Sequence, residues 1–131
     1  MTAMQYRTLP HGGEQISVIG MGMGSIHEGS ESEIEQTVRL ALEHGINYFD
    51  MAASEGKPYA CYARAFAGKR QQIYLQMHFG AVYDNGKYGW TRDLQKIKQT
   101  FESQLQILHT DYTDMGFVHC IDELDDYQKI M

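Results

Sequence analysis

Three side chains able to hold or pass a proton stand at the ends of short apolar runs: Asp50 after residues 46–49, His78 after 73–77 and His119 after 113–118. Glu55 follows Asp50 by five positions. A carboxylate and an imidazole in one pocket can exchange a proton with a substrate, which is general acid–base chemistry. Two imidazoles and two carboxylates are also the ligand types of a divalent metal, but no short metal-binding spacing joins them here. The run Val18-Ile19-Gly20-Met21-Gly22-Met23-Gly24 either lets a ligand approach the backbone or simply permits a turn. It lacks the spacing of a dinucleotide G-x-G-x-x-G or a phosphate loop. Each residue also has a plain structural use: Asp50 as a cap, the histidines as hydrogen-bonding groups, Glu55 as a solvated charge. Their coincidence on successive run ends is what points to a site. Cys120 adjoins His119, yet strand alternation turns neighbours to opposite faces, which argues against a Cys–His nucleophile.

Those runs read as strands. His11-Gly12-Gly13 is a turn signal between residues 6–9 and 15–18, and predicts a short β-hairpin capping something larger. Residues 18–24, 46–52, 73–79 and 113–119 are the next four strands. Between them, Ser30-Glu31-Ser32-Glu33 is a capping box that opens a helix closed by Gly45. Pro58 opens a second helix, which ends at Gly68. A third runs from Thr91 as N-cap through Leu94, Ile97, Phe101, Leu105 and Leu108 at helical spacing. The acids at 122–126 suit the start of a last helix. Strand and helix alternate, so the sheet should be parallel α/β, with ligands at the carboxyl ends of its strands. The period of two puts Tyr48 with Asp50, Gln76 with His78 and Phe117 with His119 on one face. Ile73, Leu75 and Met77 face covering helices.

The 131 residues, 43% of them hydrophobic, suit one folded domain over 1–131. Eleven basic against 17 acidic side chains leave a net charge of −6, which disfavours nucleic acid and anionic membrane as partners. No apolar stretch is long enough for a membrane span and no signal-like segment opens the chain, so a cytoplasmic location is expected. Cys61 and Cys120, far apart and outside any Cys-x-x-Cys pair, are expected to be reduced thiols.

Several segments together resemble the aldo-keto reductases. They are Tyr6-Arg7, Ile19-Gly20-Met21-Gly22, Ala41-Leu42-Glu43-His44-Gly45-Ile46-Asn47-Tyr48-Phe49-Asp50-Met51-Ala52, Gly68-Lys69-Arg70 and Thr110-Asp111-Tyr112-Thr113-Asp114-Met115-Gly116-Phe117-Val118-His119. Tyr74-Leu75-Gln76-Met77-His78-Phe79-Gly80 and Tyr88-Gly89-Trp90-Thr91 look like the bacterial branch that often carries a ferredoxin-like tail. The resemblance spans essentially the whole chain. It implies a TIM barrel, (β/α)8, in which NADP or NAD delivers hydride to a carbonyl, with a tyrosine, a lysine, an aspartate and a histidine at the site. Asp50 matches the aspartate and His119 the histidine. Glu55 stands where the family has its tyrosine, and His78 where it has its lysine. By resemblance, Gly22, Met23, Gly24, Ser25 and Asp50 would touch the nicotinamide.

A hairpin, four strands and three complete helices make about half of a full barrel, which needs about 250 residues. The family's phosphate-holding loops follow its last strands, so independent cofactor binding is expected to be weak or absent. An open half-barrel is expected to associate, most simply as a two-fold dimer. Two other readings are a non-catalytic half-barrel remnant or interaction module, and a divalent-metal site at the two histidines and two carboxylates.

Overall fold

The structure, a computed structural model, describes residues 3–131. It opens with the expected hairpin of β1 (Tyr6–Thr8) and β2 (Gln15–Ser17), antiparallel with Tyr6 opposite Ser17. Then come β3 (Met21–Met23), α1 (Glu31–Glu43), β4 (Tyr48–Ala53), α2 (Lys57–Phe66) and β5 (Tyr74–Phe79). A second hairpin, β6 (Ala81–Asp84) and β7 (Lys87–Trp90), precedes α3 (Leu94–Ile107), β8 (Met115–Val118) and α4 (Leu124–Ile130). Strands β3, β4, β5 and β8 form a parallel sheet in that order. These four strands are half of an eight-stranded (β/α)8 barrel.

The helix ends follow from their capping residues. Ser30 Oγ accepts from the Glu33 N–H at 3.3 Å while the Glu33 carboxylate accepts from the Ser30 N–H at 2.8 Å, so the box satisfies both donors. Gly45 ends this segment at φ 88°, where a Cβ would come within 2.7 Å of the Tyr6 hydroxyl. That hydroxyl donates to the Gly45 carbonyl, tying the first hairpin to the turn before β4. The N-cap of α3 is Asp93 rather than Thr91. The Asp93 carboxylate accepts from the Lys96 N–H at 2.6 Å, while the Thr91 hydroxyl accepts from Asp93 N–H and shapes the turn before it. A carboxylate at the N-terminus also meets the positive end of the helix dipole.

The sheet has one covered face. Phe49 and Met51 of β4 and Leu75 and Met77 of β5 are fully buried against Ile34 and Val38 of α1 and Tyr59, Tyr62 and Phe66 of α2. Phe49 meets Phe66 and Tyr62 edge-on, with ring centres 4.8 and 6.4 Å apart. At about 1.5–3 kcal/mol for each large side chain removed from water, this layer holds the fold. The alternate residues Tyr48, Asp50, Gln76, His78 and Phe117 line the inner, concave face, where Phe117 is 53% exposed. The first hairpin closes the amino ends of the strands: Asn47, just before β4, accepts from the Ser17 N–H and donates to the Gln15 carbonyl, both at 2.8 Å.

Two further features depart from the sequence reading. Asp50 lies in mid-strand, because β4 continues to Ala53, and its carboxylate therefore sits inside the curve of the sheet rather than at its rim. The hairpin β6–β7 adds two strands that the sequence reading does not contain. Its turn is Asn85-Gly86 with φ 53° and 78°, the left-handed pair that a two-residue type I′ turn requires.

Candidate functional site

The parallel register sets Asp50 beside Gln76 and His78 beside Phe117. From it a continuous row of polar contacts crosses the inner face. The Tyr48 hydroxyl donates to the Gln76 carbonyl oxygen, and the Gln76 amide donates to Asp50 Oδ1 at 3.0 Å. Asp50 Oδ1 lies 2.7 Å from His78 Nε2, and His78 Nδ1 lies 3.1 Å from His119 Nδ1. His119 Nε2 in turn lies 2.5 Å from the Tyr88 hydroxyl. Asp50, His78 and His119 thus share one site, as three strands of one parallel sheet would place them.

Burial sets the electrostatics. The His119 imidazole is held below its ordinary pKa, first by burial, then by the neighbouring His78 and Arg92, with Asp50 pulling the other way. Burial and then the Asp50 charge push the Tyr48 phenol up. Both nitrogens of His78 are engaged, one by Asp50 and one by His119. Among the described residues no group of three or more His, Cys, Asp or Glu side chains is arranged to hold a metal ion. The site residues bond to one another instead of converging on a point.

Tyr88 is the site residue that the sequence reading missed, and the unrecognised Asn85-Gly86 turn is the signal that reveals it. Tyr83 and Tyr88 stand opposite each other across β6 and β7. The Tyr83 hydroxyl accepts from the Ala53 N–H at 2.9 Å and donates to the Ala53 carbonyl at 3.0 Å, which pins the hairpin over the carboxyl end of β4. The Gly56 N–H donates to the Gly86 carbonyl beside it. The hairpin so folded carries Tyr88 to His119. Cys120 also differs from expectation. Its φ of 51° breaks the alternation after β8, and its thiol lies against the Tyr88 phenol instead of on the opposite face. Burial, and then that thiol, hold the Tyr88 phenol above its ordinary pKa.

Glu55 is exposed, and its backbone bridges Lys87, the residue before Tyr88. Gly22 faces the inner side of β3, and a Cβ built there or at Gly24 would meet open space. Met23 points the other way and is 1% exposed among the core residues, which leaves only its backbone to the inner face. Ser25 is exposed, and its side chain caps nothing. A shallow concavity of about 200 Å³ lies between Ala52, Ala53, Ser54, Tyr88 and His119. No helix among the described residues is long and apolar enough to cross a membrane.

Comparison with known proteins agrees with this architecture. A model of the aldo/keto reductase family matches residues 18–131. The chain is similar to an uncharacterized oxidoreductase of Bacillus subtilis, 32% identical over 121 residues, covering 88% of this chain and 39% of that protein. It is also similar to an aldo-keto reductase of a Mycobacterium species, 34% identical over 110 residues, covering 82% and 35% of the two chains. Among solved structures, it superposes on the holo form of an aldo-keto reductase from Bacillus halodurans with a TM-score of 0.71 and 28% identity, covering 86% of this chain and 39% of that one. The chain therefore spans well under half the length of these relatives.

Proposed function

The chain belongs to the aldo/keto reductase family, and we propose that it supplies the amino-terminal half of a barrel that reduces a small carbonyl compound with NADPH or NADH. The observation that carries this reading is the row Asp50–His78–His119 on the concave face. A carbonyl oxygen that receives an electron pair needs a proton at once, and these three residues can hold and pass one.

The residues present fit the nicotinamide end of the cofactor. Gly22 and Gly24 leave bare backbone on the inner face, where a flat ring can lie without meeting a Cβ. Gly22, Gly24, Ser25, the backbone of Met23 and Asp50 would hold it. When bound, the dinucleotide supplies the hydride. This chain's part is to orient the carbonyl and deliver the proton. The phosphate-holding loops of the family belong to the half of the barrel that this chain does not span, so affinity depends on what closes the barrel.

A second copy is the partner we favour. Among the described residues, strands β3 and β8 each pair on one side only. A two-fold axis along the barrel axis would set β8 of each copy beside β3 of the other, giving eight parallel strands and covering Phe117. The compartment that fits is the cytoplasm, since both cysteines are unpaired thiols and Cys120 is exposed.

The test is NADPH oxidation with a simple aldehyde at protein concentrations that favour association. Turnover that falls about 100-fold in Asp50→Asn is expected. Turnover unchanged by Asp50→Asn contradicts the reading.

A further inference from the structure

We infer that Tyr88 is the proton donor of this site, at the outer end of a relay that runs Asp50–His78–His119–Tyr88; the inference rests on the function proposed above. The relay is continuous, with steps of 2.7, 3.1 and 2.5 Å. Its outer end opens into the concavity between Ala52, Ser54 and His119. Four other hydroxyls near the carboxyl ends of the strands are spent on backbone carbonyls: Ser54 on Gly24, Tyr83 on Ala53, Tyr62 on Gly22 and Tyr59 on Met51. Tyr48 donates to Gln76, on the far side of Asp50 from the mouth. Tyr88 touches a titratable ring instead, and 42% of its surface is free to meet a substrate.

The protons balance along the row. In the donor-ready form Asp50 is a carboxylate and His78 an imidazolium, which donates from Nε2 to Asp50 and from Nδ1 to His119 Nδ1. His119 is neutral with its proton on Nε2, donating to the Tyr88 oxygen, which leaves the Tyr88 O–H free for the carbonyl oxygen. As the carbonyl carbon accepts hydride, its π-electron pair moves to oxygen, and that oxygen takes the Tyr88 proton. Tyr88 recovers a proton from His119 Nε2, and His119 recovers one at Nδ1 from His78. The cluster ends one proton poorer, with both imidazoles neutral and Tyr88 now donating to His119 Nε2. In the resting form every step has one donor and one acceptor. The charged and titratable groups that face the relay, besides its own members, are Tyr83 on β6, Arg92 after β7 and Cys120 after β8.

Two measurements on the intact chain test this. The first follows the ring nitrogens of His119 by ¹⁵N NMR, in wild type and Tyr88→Phe, with the amide spectrum of β6 and β7 as the check on folding. The His119 Nε2 signal should move toward the value of a free ring nitrogen in Tyr88→Phe, and the His78 nitrogens should shift with it. Equal His119 spectra in the two proteins overturn the relay. If the variant does not fold, a Tyr88 hydroxyl proton in wild type with an Overhauser contact to the His119 ring decides the point, and its absence overturns it.

The second measurement is single-turnover reduction of 4-nitrobenzaldehyde by NADPH. The rate should fall about 10²- to 10⁴-fold in Tyr88→Phe, with loss of the solvent deuterium effect that wild type shows. Equal rates overturn the assignment and leave the proposed function standing. A wild type that consumes no NADPH overturns the proposed function, and the nitrogen spectra then judge the relay by themselves.

Discussion

The Tyr88 hydroxyl lies 2.5 Å from His119 Nε2, although 31 positions separate the two residues. One is brought by a hairpin turned on Asn85-Gly86 and the other by the fourth parallel strand, so the contact depends on the hairpin being pinned at Ala53. Through it the proton path of the inner face reaches the mouth of the half-barrel. This is where the aldo/keto reductase resemblance and the local geometry differ: the phenol comes from β7, next to the residue that bridges Glu55, and not from position 55 itself.

Gln76 should matter to both folding and chemistry. It is 4% exposed, and its amide joins the Tyr48 hydroxyl to Asp50. Gln76→Leu leaves both without this partner, which should cost about 1–3 kcal/mol by urea denaturation. The same variant leaves His78 as the one side-chain partner of the Asp50 carboxylate, so carbonyl reduction should fall by more than the loss of folded protein explains.

Acid should weaken the fold through His119. Its folded pKa lies below the ordinary value of 6.5, so between the two values the unfolded chain binds more protons than the folded one. The contribution of this group is therefore complete above about pH 6.5 and is lost as the pH falls below it. The melting temperature should drop from pH 7 to pH 5, and His119→Gln should flatten that dependence. A wild-type profile no steeper than that of the variant contradicts the role given to burial here.

The turn before β8 offers a stability test remote from the site. Asp114 accepts from the Leu75 N–H at 2.9 Å and from Arg70 at 2.8 Å, in an ion pair mostly shielded from water. Arg70 also donates to Thr110 and the Ile73 carbonyl and lies 3.8 Å from the Tyr112 ring centre. Asp114→Ala takes the carboxylate away from the guanidinium and leaves one strand N–H unpaired, and should cost about 1–3 kcal/mol of stability by urea denaturation. Since His119 directly follows β8, its ring signals should broaden in the same variant.

Much of this was legible in the sequence because the signals were local. Alternation along residues 73–79 and 113–119 separates core from inner face without any knowledge of the fold, and it brings Asp50, His78 and His119 together. Ser30-Glu33 and Gly45 mark a helix by capping chemistry alone. What escaped was set by less regular backbone. Asp93 took the cap from Thr91 because its carboxylate reaches the Lys96 N–H. Cys120 left the strand alternation through one positive φ. The Tyr88 contact needs a hairpin docked onto β4 by Tyr83, and no periodicity within residues 81–90 announces that docking, although Asn85-Gly86 announces the turn.

The proposal under test is that this chain forms half of a reducing barrel completed by a second copy. Sedimentation across micromolar concentrations, with and without NADPH and with nicotinamide fluorescence read in the same cell, tests it most directly. The account predicts a species of about 30 kDa, twice the 15.0 kDa of one chain, that NADPH stabilises and to which the fluorescence change is confined. A 15.0 kDa species that stays monomeric throughout and still binds NADPH tightly would contradict it.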